Sequence, residues 1–209
     1  MPATTPIPPG EIVGTADQRV FLHGVPWSHF EAILALRGDA PVPRMAYHAG
    51  VLELMTPSRN HESIKKTLAR LIELYALRTG ARLAGYGGWT LRSAPKAVAI
   101  EPDECYILGD PRLKEVPDLA IEVVWTSGGL EKLELYRGLG VAEVWQWRDG
   151  AIAIFSLQDD RYVREQRSRW FPDLDMALVA RLAGHEDQHE AVLELQAVLD
   201  RQLGSPPSR

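Results

Sequence analysis

The chain has 209 residues and a net charge of −5, with 45% hydrophobic and 24% charged residues, which is the balance of a folded domain and excludes a fibrous or fully disordered protein. A single cysteine, Cys105, excludes an internal disulfide framework, and no apolar run is long enough to span a membrane. The first ten residues have neither the basic nor the apolar region of a signal peptide. We therefore expect a cytoplasmic protein without a membrane partner.

A basic segment stands out against this acidic background. Residues 57–100 contain eight Lys or Arg residues and two Glu residues, which is an excess of six positive charges. A basic patch on an acidic protein can bind the phosphates of a nucleic acid. The alternative is a solvated helix face, which is the usual meaning of a run of charges.

The first part of the chain predicts a disordered segment, a short helix and a hairpin. Residues 1–17 are rich in Pro and Thr, which favours disorder. Residues 26–36 predict a short helix that ends near Gly38. Two strands are expected at residues 44–47 and 51–55, joined by a His-Ala-Gly turn into a hairpin.

The longest helix is expected from about Asn60 to Thr79. Asn60 is a suitable N-cap, Glu62 stands in the first turn, where the helix dipole favours an acid, and Gly80 suits the position after the last turn. Apolar residues at helical spacing form one stripe on this helix. His61 lies near the edge of that stripe and faces the sheet, whereas Glu62 points away from it.

Three strands and a helix follow in the middle of the chain. We expect strands near residues 83–92, 101–108 and 117–125. The glycines of the first strand indicate a bend or a close backbone approach, and residues 126–129 end the third strand. Residues 130–136 predict a helix.

The last part of the chain predicts a second hairpin and terminal helices. An Asp-Gly turn joins strands at residues 144–148 and 151–157, and a third short strand lies near residue 162. The prediction is an α/β fold of the α+β kind, a central mixed β-sheet flanked by helices, with an added N-terminal segment and C-terminal helices. We expect one domain over residues 18–182 and a C-terminal helix and tail over residues 183–209.

One carboxylate stands inside the most apolar of these strands. Residues 117–125 are apolar without alternation, apart from Asp118 near the start and Glu122, which predicts a strand covered on both faces. A lone buried charge costs several kcal/mol, so Glu122 must be neutralised, paired or bound to a metal. Lys132 offers a cation ten residues later. A structural Glu–Lys pair and a functional site are both open from this segment alone.

A second carboxylate, Asp103, lies in the preceding strand region. Two carboxylates on adjacent strands can hold one hard divalent cation, because Mg²⁺ takes oxygen ligands and keeps several waters. A nearby lysine can position or deprotonate a metal-activated water, or stabilise the charge of a phosphate. Asp103, Glu122 and Lys132 form such a set, although Asp103 alone is also typical of a turn at a strand end. Cys105 is interpreted as a small buried hydrophobe.

A competing metal motif occurs near the C-terminus. His185, Glu186 and His189 match the H-E-x-x-H spacing, which places two zinc-binding imidazoles on one helix face beside a general-base Glu. Gly184 precedes the motif directly, so the motif would occupy the first turn of a helix. A zinc hydrolase is therefore a remote alternative.

Four motifs carry a resemblance to a known family. In chain order they are SRNHE at residues 58–62, EPDECY at residues 101–106, PDLAIEVV at residues 117–124, and the segment from EKLELY to GVAEVW at residues 131–145. They resemble the Uma-two family, which belongs to the PD-(D/E)XK nuclease superfamily. The resemblance covers residues 44–182 and implies a restriction-endonuclease-like core.

The resemblance implies a metal-dependent endonuclease that acts on DNA. Asp103 and Glu122 match the family's metal-binding acids, with the Val123 carbonyl as a further ligand, and Mg²⁺ is the implied ion, with Mn²⁺ as a substitute. The superfamily's usual lysine stands two residues after the second acid, where this chain has Val124. The family supplies the lysine from the following helix, so the catalytic role passes to Lys132.

Supporting residues and partners are also implied. His61 matches the histidine of the family's first helix, and Glu62 is an additional ligand candidate. Arg59, Lys65 and Lys66 are expected to hold the phosphate backbone, which would make binding sensitive to salt. A homodimer is expected by family analogy. A non-catalytic interaction module that keeps the nuclease fold is the alternative function.

Overall fold

Two β-sheets and five helices form the part of the chain that the computed structural model describes, which is residues 16–125 and 129–204. The helices are α1, Trp27–Arg37; α2, Arg59–Thr79; α3, Lys132–Leu139; α4, Met176–Ala183; and α5, Gln188–Leu203. None of these described helices is long and apolar enough to cross a membrane. The mixture of helices and sheets confirms the predicted restriction-endonuclease-like α+β fold class.

The strands belong to two sheets rather than to the single central sheet that was predicted. In chain order they are β1, Gln18–His23; β2, Arg44–His48; β3, Val51–Thr56; β4, Leu83–Gly85; β5, Leu91–Ser93; β6, Val98–Ile100; β7, Glu104–Leu108; β8, Leu119–Val123; β9, Glu143–Arg148; β10, Ala151–Gln158; and β11, Arg161–Glu165. The first sheet has the order β1-β3-β2-β6-β5 and is antiparallel throughout. The second has the order β11-β10-β9-β8-β7-β4 and is mixed, because β8 and β9 run parallel.

The single strand that we expected over residues 83–92 is divided between the sheets. Its first part is β4, which pairs with β7 in the second sheet, and its last part is β5, which pairs with β6 in the first sheet. The chain turns between them at Gly87, whose φ of +53° lies in the left-handed region that favours glycine. The predicted bend is therefore the point at which the chain changes sheets.

Strand β8 is covered on both of its faces, as its unbroken apolar sequence predicts. Leu119 and Ile121 share one hydrophobic cluster with buried residues of α2, α4 and α5. Ala120, on the opposite face, belongs to a cluster with residues of α3 and of the first sheet. Glu122 alternates with Ile121 and therefore lies on the α3 side. Trp145 belongs to the α2 side and is fully buried.

Helix α2 begins slightly earlier than its sequence predicts. The N-cap is Ser58 rather than Asn60, and the Ser58 hydroxyl accepts a hydrogen bond from the His61 amide at 3.2 Å. The helix ends as predicted, with Gly80 in the left-handed conformation at φ 76°. His61 is buried and Glu62 is half-exposed, which confirms the predicted orientation of both side chains.

The H-E-x-x-H motif does not form a zinc site. Helix α5 begins only at Gln188, because the Asp187 carboxylate accepts hydrogen bonds from the amides of His189 and Glu190 and caps the helix. His185 lies before this cap, and its Nδ1 contacts the Asp187 backbone. The two imidazoles therefore do not share a helix face, and the zinc prediction is wrong.

Some predicted features lie wholly or partly outside the described residues. These are most of the N-terminal segment (residues 1–15), the strand end at residues 126–128 and the C-terminal tail (residues 205–209). Asp17, which the prediction assigned to the disordered segment, has a buried side chain that contacts the start of α2. The domain boundaries at residues 18–182 and 183–209 stay predictions.

Candidate active site

The pairing of β7 with β8 brings the two candidate acids together. Glu104 is the partner of Ile121 in this antiparallel ladder, so Asp103, one residue earlier, lies beside Glu122. The amide of Val123 donates a hydrogen bond to Asp103 Oδ2 at 2.7 Å. Both side chains are only 1% exposed. The sheet therefore holds two carboxylates side by side, away from water.

Helix α3 supplies both partners of the Glu122 carboxylate. Lys132 Nζ donates to Glu122 Oε2 at 2.7 Å, and the Tyr136 hydroxyl donates to Oε1. Lys132 and Tyr136 are four residues apart and so share one face of the helix. The helix starts at Lys132 because the side chain of Glu131 caps it. Both oxygens of the buried acid are thus satisfied by one turn of helix.

The electrostatics of this pair keep Lys132 protonated. Burial alone would lower the pKa of Lys132, but the negative charges of Glu122 and Asp103 outweigh burial and raise that pKa above its usual value. Burial raises the pKa of Glu122, and the nearby charge of Asp103 adds to the rise, whereas Lys132 opposes it. Burial and the neighbouring Glu122 likewise raise the pKa of Tyr136 far above its usual value. Lys132 is therefore a fixed cation, and Tyr136 is a fixed hydrogen-bond donor.

Asp103 is ionised because two cations face it. Arg44 donates from Nη1 to Asp103 Oδ1, and His61 Nε2 lies 3.0 Å from the same oxygen. The His61 contact is at ion-pair distance but lacks the direction of a hydrogen bond. Burial would raise the pKa of Asp103, but the charges of His61 and Arg44 outweigh burial and hold it well below its usual range.

His61 lies between two buried carboxylates. Its Nδ1 is 3.0 Å from Asp17 Oδ2, and its Nε2 faces Asp103. Burial would lower the pKa of His61, but the two acids outweigh burial and raise it to about 9. The His61 contact, together with a hydrogen bond from the Ser58 amide at 2.9 Å, lowers the pKa of Asp17 to about 2 against the effect of burial. The imidazole is therefore charged at neutral pH.

Arg44 connects the buried acids to the rim of the site. Its Nη2 donates to Glu62 Oε1 at 2.9 Å while its Nη1 contacts Asp103. Glu62 is 41% exposed at its side chain, and its other oxygen lies 2.6 Å from Lys65 Nζ. Glu62 is thus joined to Asp103 through Arg44, which stands where a cation would have to reach Asp103 Oδ1.

A further buried acid, Glu53 on β3, fixes the chain that leads into α3. Its carboxylate accepts hydrogen bonds from Arg19 Nε at 3.1 Å and from the Leu130 amide at 2.7 Å. A Cβ atom at Gly129 would lie 3.2 Å from Glu53 Oε1, so a side chain there would crowd the carboxylate. Glu53 therefore determines how the segment before Lys132 approaches the site.

The predicted phosphate-binding residues lie along the first turns of α2. Arg59 and Lys66 are exposed, whereas Lys65 pairs with Glu62. All three residues line an open cavity of about 660 Å³ that also contains the acids Glu104 and Glu186. The three cations are therefore near the site, but acidic side chains share their surface.

Sequence reasoning found part of this site and missed the rest. The structure brings together His61, Asp103, Glu122, Val123 and Lys132, and joins Glu62 to them through an arginine. Glu53 could have been found by the signal that identified Glu122, because it is the lone acid of an apolar strand. The residues missed were Asp17, Arg19, Arg44, Glu53 and Tyr136.

The donor types at this site fit a hard divalent cation, although protein donors already contact the carboxylate oxygens. The Asp103 and Glu122 carboxylates and the Val123 carbonyl are oxygen ligands of the kind Mg²⁺ prefers. Within residues 16–125 and 129–204, no three His, Cys, Asp or Glu side chains are grouped to hold a metal ion. Each carboxylate oxygen of the two acids contacts a protein donor. A bound ion would have to replace some of these contacts.

One comparison with known proteins bears on the site. The model of the family described as "Putative restriction endonuclease", Uma2, matches residues 27–183. No curated protein matches the chain. The matched range includes His61, Asp103, Glu122 and Lys132, whereas Asp17 lies before it.

Removal of the Lys132 amine should destabilise the protein strongly. We expect Lys132→Met to lower the free energy of unfolding by about 3 kcal/mol, because Glu122 is left as a buried acid without its cation. Urea unfolding at neutral pH measures the loss. Arg137→Met is the control on the same helix, because its pairs with Glu134 and Asp160 lie at the surface, where solvent screens them. Equal losses in both variants would contradict a buried pair.

The charge of His61 should give stability a defined pH dependence. Between pH 6.5 and pH 9 the folded protein keeps a proton on His61 that the unfolded chain has lost, so the free energy of unfolding falls as pH rises through this window. The contribution is complete below pH 6.5 and is lost above about pH 9; it amounts to roughly 3 kcal/mol. Urea unfolding in EDTA across this range measures it.

The matched variants are His61→Gln and His29→Gln, because His29 is exposed on α1. The fall in the free energy of unfolding between pH 6.5 and pH 9 should be absent from His61→Gln and unchanged in His29→Gln. A decline of wild-type size in His61→Gln would show that another group causes it.

Proposed function

Because the chain belongs to the Uma2 family of restriction-endonuclease-like proteins, we propose that it is a metal-dependent endonuclease that hydrolyses phosphodiester bonds of DNA. The observation that carries the proposal is that Asp103, directly before β7, lies beside Glu122 of the paired strand β8, with the charged amine of Lys132 on Glu122. Two adjacent carboxylates can hold a hard divalent cation, and a nearby charged amine can stabilise the charge of a phosphate.

The residues proposed to hold Mg²⁺, or Mn²⁺ in its place, are Asp103, Glu122 and the Val123 carbonyl. A bound ion of this kind lowers the pKa of a water and neutralises charge on the scissile phosphate. Asp103 suits this role because His61 and Arg44 keep it ionised, and an ionised carboxylate is the form that binds a cation. His61 acts on Asp103 as a positioning residue, and Glu62 is proposed to support the ion from the rim.

Lys132 acts as a cation rather than as a base. Its raised pKa means that its amine holds a proton throughout the neutral range and cannot accept another. Its charge can orient the attacking water or stabilise the negative charge that develops on the phosphate. Tyr136 holds Glu122 Oε1 in place by a hydrogen bond. The contact between Lys132 and Glu122 Oε2 is therefore the one proposed to rearrange when substrate binds.

DNA is proposed to approach along the start of α2. Arg59 and Lys66 are exposed there and can contact phosphates, and Lys65 becomes available if Glu62 turns toward a metal. A homodimer and a cytoplasmic location stay predictions.

A second function, a non-catalytic interaction module, is favoured by one observation. All four carboxylate oxygens of Asp103 and Glu122 already have protein donors, so the site is electrostatically complete without a metal. A module of this kind would bind its partner without any gain in melting temperature from Mg²⁺. Metal-dependent cleavage separates the two functions directly.

The activity should appear as nicking and linearisation of supercoiled plasmid with Mg²⁺ or Mn²⁺ and should be absent with EDTA. We expect Asp103→Asn, Glu122→Gln and Lys132→Ala each to lower the cleavage rate by about 100-fold or more, because each removes a ligand or a charge at the scissile phosphate. The controls make the same chemical changes at exposed positions, with Glu115→Gln and Lys96→Ala. Equal cutting by every variant would indicate a contaminating nuclease or a wrong site, and no cutting by the wild type would favour the interaction module.

Arg44 should compete with metal for Asp103. We expect Arg44→Gln to bind Mn²⁺ several-fold more tightly than the wild type, because Asp103 Oδ1 loses the guanidinium that occupies it. Titration followed by the electron paramagnetic resonance signal of free Mn²⁺ measures this without any cleavage. Arg78→Gln is the control, since it frees Asp200 far from the site. Weaker Mn²⁺ binding by Arg44→Gln would show that Arg44 assists the metal site.

A further inference from the structure

A groove of about 660 Å³ opens beside the candidate active site and shares Arg44 and Lys65 with it. Arg44 lines the groove and also contacts Asp103. The volume lies within the ~300–1,000 Å³ range of small-ligand pockets, which is sufficient for a nucleotide. A ligand in this groove would therefore end next to the buried acids.

Cations predominate in the lining of the groove. Arg37, Arg44, Lys65 and Arg92 contribute four positive charges, against two acids. Arg37 is committed to one of these acids, Glu101, through two hydrogen bonds of 2.7 and 2.6 Å. Arg92 is less constrained than Arg37, because its side chain is 53% exposed and its ion pair with Glu31 is long, at 3.7 Å. Arg92 is thus the groove cation with the greatest freedom to contact an incoming phosphate.

Two aromatic rings also line the groove, beside its charged residues. Tyr86 and Trp89 have their ring centroids 5.4 Å apart at an angle of 47°, and both line the groove. Trp89 packs against the hydrophobic cluster beneath it, whereas Tyr86 is 45% exposed. Tyr86 follows the last residue of β4 and precedes the turn at Gly87. An anchored ring thus supports an exposed ring at the mouth of a basic groove.

Basic groove walls combined with an exposed aromatic platform are the features that bind single-stranded nucleic acid. Cations follow the phosphates, and the bases stack on aromatic rings whatever their sequence. In a duplex the faces of the bases are covered by their neighbours, so a ring can stack on a base only where the strand is unpaired. We propose that this groove binds an unpaired strand of the nucleic acid substrate, with a base on Tyr86 and its phosphates on Arg92 and Arg44.

This inference deepens the proposed function, on which it rests, by naming the substrate class. A strand bound in this way leads to Arg44, and a phosphate that attracts Arg44 draws it away from Asp103. Single-stranded ends, overhangs or displaced strands would therefore be preferred to blunt duplex DNA.

Fluorescence anisotropy with labelled oligonucleotides in EDTA tests the groove independently of cleavage. The probes are one single-stranded oligonucleotide and its blunt duplex. We expect the wild type to bind the single strand about tenfold more tightly, and Tyr86→Ala to lose about tenfold in affinity for the single strand with little change for the duplex. Tyr86→Phe keeps the ring and should retain the wild-type affinity. Arg92→Gln should reduce the salt slope by about 1.

The controls are Leu113→Ala and Arg112→Gln, which alter exposed side chains away from the groove and should leave binding unchanged. The inference would be overturned by equal affinity for both probes, by no binding of either, or by a Tyr86→Ala variant that binds the single strand as tightly as the wild type does. Failure of the nuclease proposal would look different, because Tyr86-dependent binding would persist without any plasmid cleavage. Conversely, cleavage that depends on Asp103, together with unchanged single-strand binding by Tyr86→Ala, would support the nuclease proposal and refute the groove proposal.

Discussion

The adjacent burial of Asp103 and Glu122 is the constraint on which the rest of this structure depends. Two ionised acids beside one another in a sheet interior repel each other and have lost their hydration, so neighbouring elements must neutralise them. The neutralising groups come from three separate parts of the chain, which are Arg44 on β2, His61 on α2 and Lys132 on α3. The ion pairs therefore fix how the first sheet and two helices meet the second sheet.

The requirement for neutrality continues outward from the two acids. His61 carries a charge that needs a second acid, which Asp17 supplies from the far side of the ring. Arg44 reaches Glu62 at the rim. Each buried charge is thus followed by one of the opposite sign, until the chain of pairs reaches solvent. A buried network of this kind contributes more to the choice of one arrangement than to net stability, because each pair must first offset its own desolvation.

The same network suits a site in which a bound ion and a phosphate replace existing ion pairs, rather than one in which they add new charge. A divalent cation at Asp103 and Glu122, together with an anionic phosphate near Arg44 and Lys132, would replace internal pairs by equivalent external ones. The net charge of the interior would then change little during binding. Arg44 is the residue best placed for this exchange, since it contacts a buried acid, a rim acid and the groove that leads away from them.

The parts of the site that sequence reasoning found are those with a local signal. Glu122 is identifiable because an acid interrupts an apolar strand, and His61 because helical spacing places it on a buried stripe. Arg44 and Asp17 had no such signal, because their roles depend on distant contacts. Arg44 contacts a residue 59 positions away in the chain, and Asp17 contacts one 44 positions away. The H-E-x-x-H motif failed for the opposite reason, since capping by Asp187 starts the helix inside the motif.

The position of the lysine shows how the site depends on tertiary structure. Val124 occupies the position two residues after Glu122, on the same side of the strand, and its amide bonds to the carbonyl of Trp147 at 2.8 Å. A lysine at that position would be placed by the strand itself. Lys132 instead is placed by α3, whose approach is fixed by the hydrogen bond from the Leu130 amide to Glu53. The acids are therefore set by the sheet and the cation by a helix, so the docking of α3 decides whether Glu122 is paired and whether the three groups can act together.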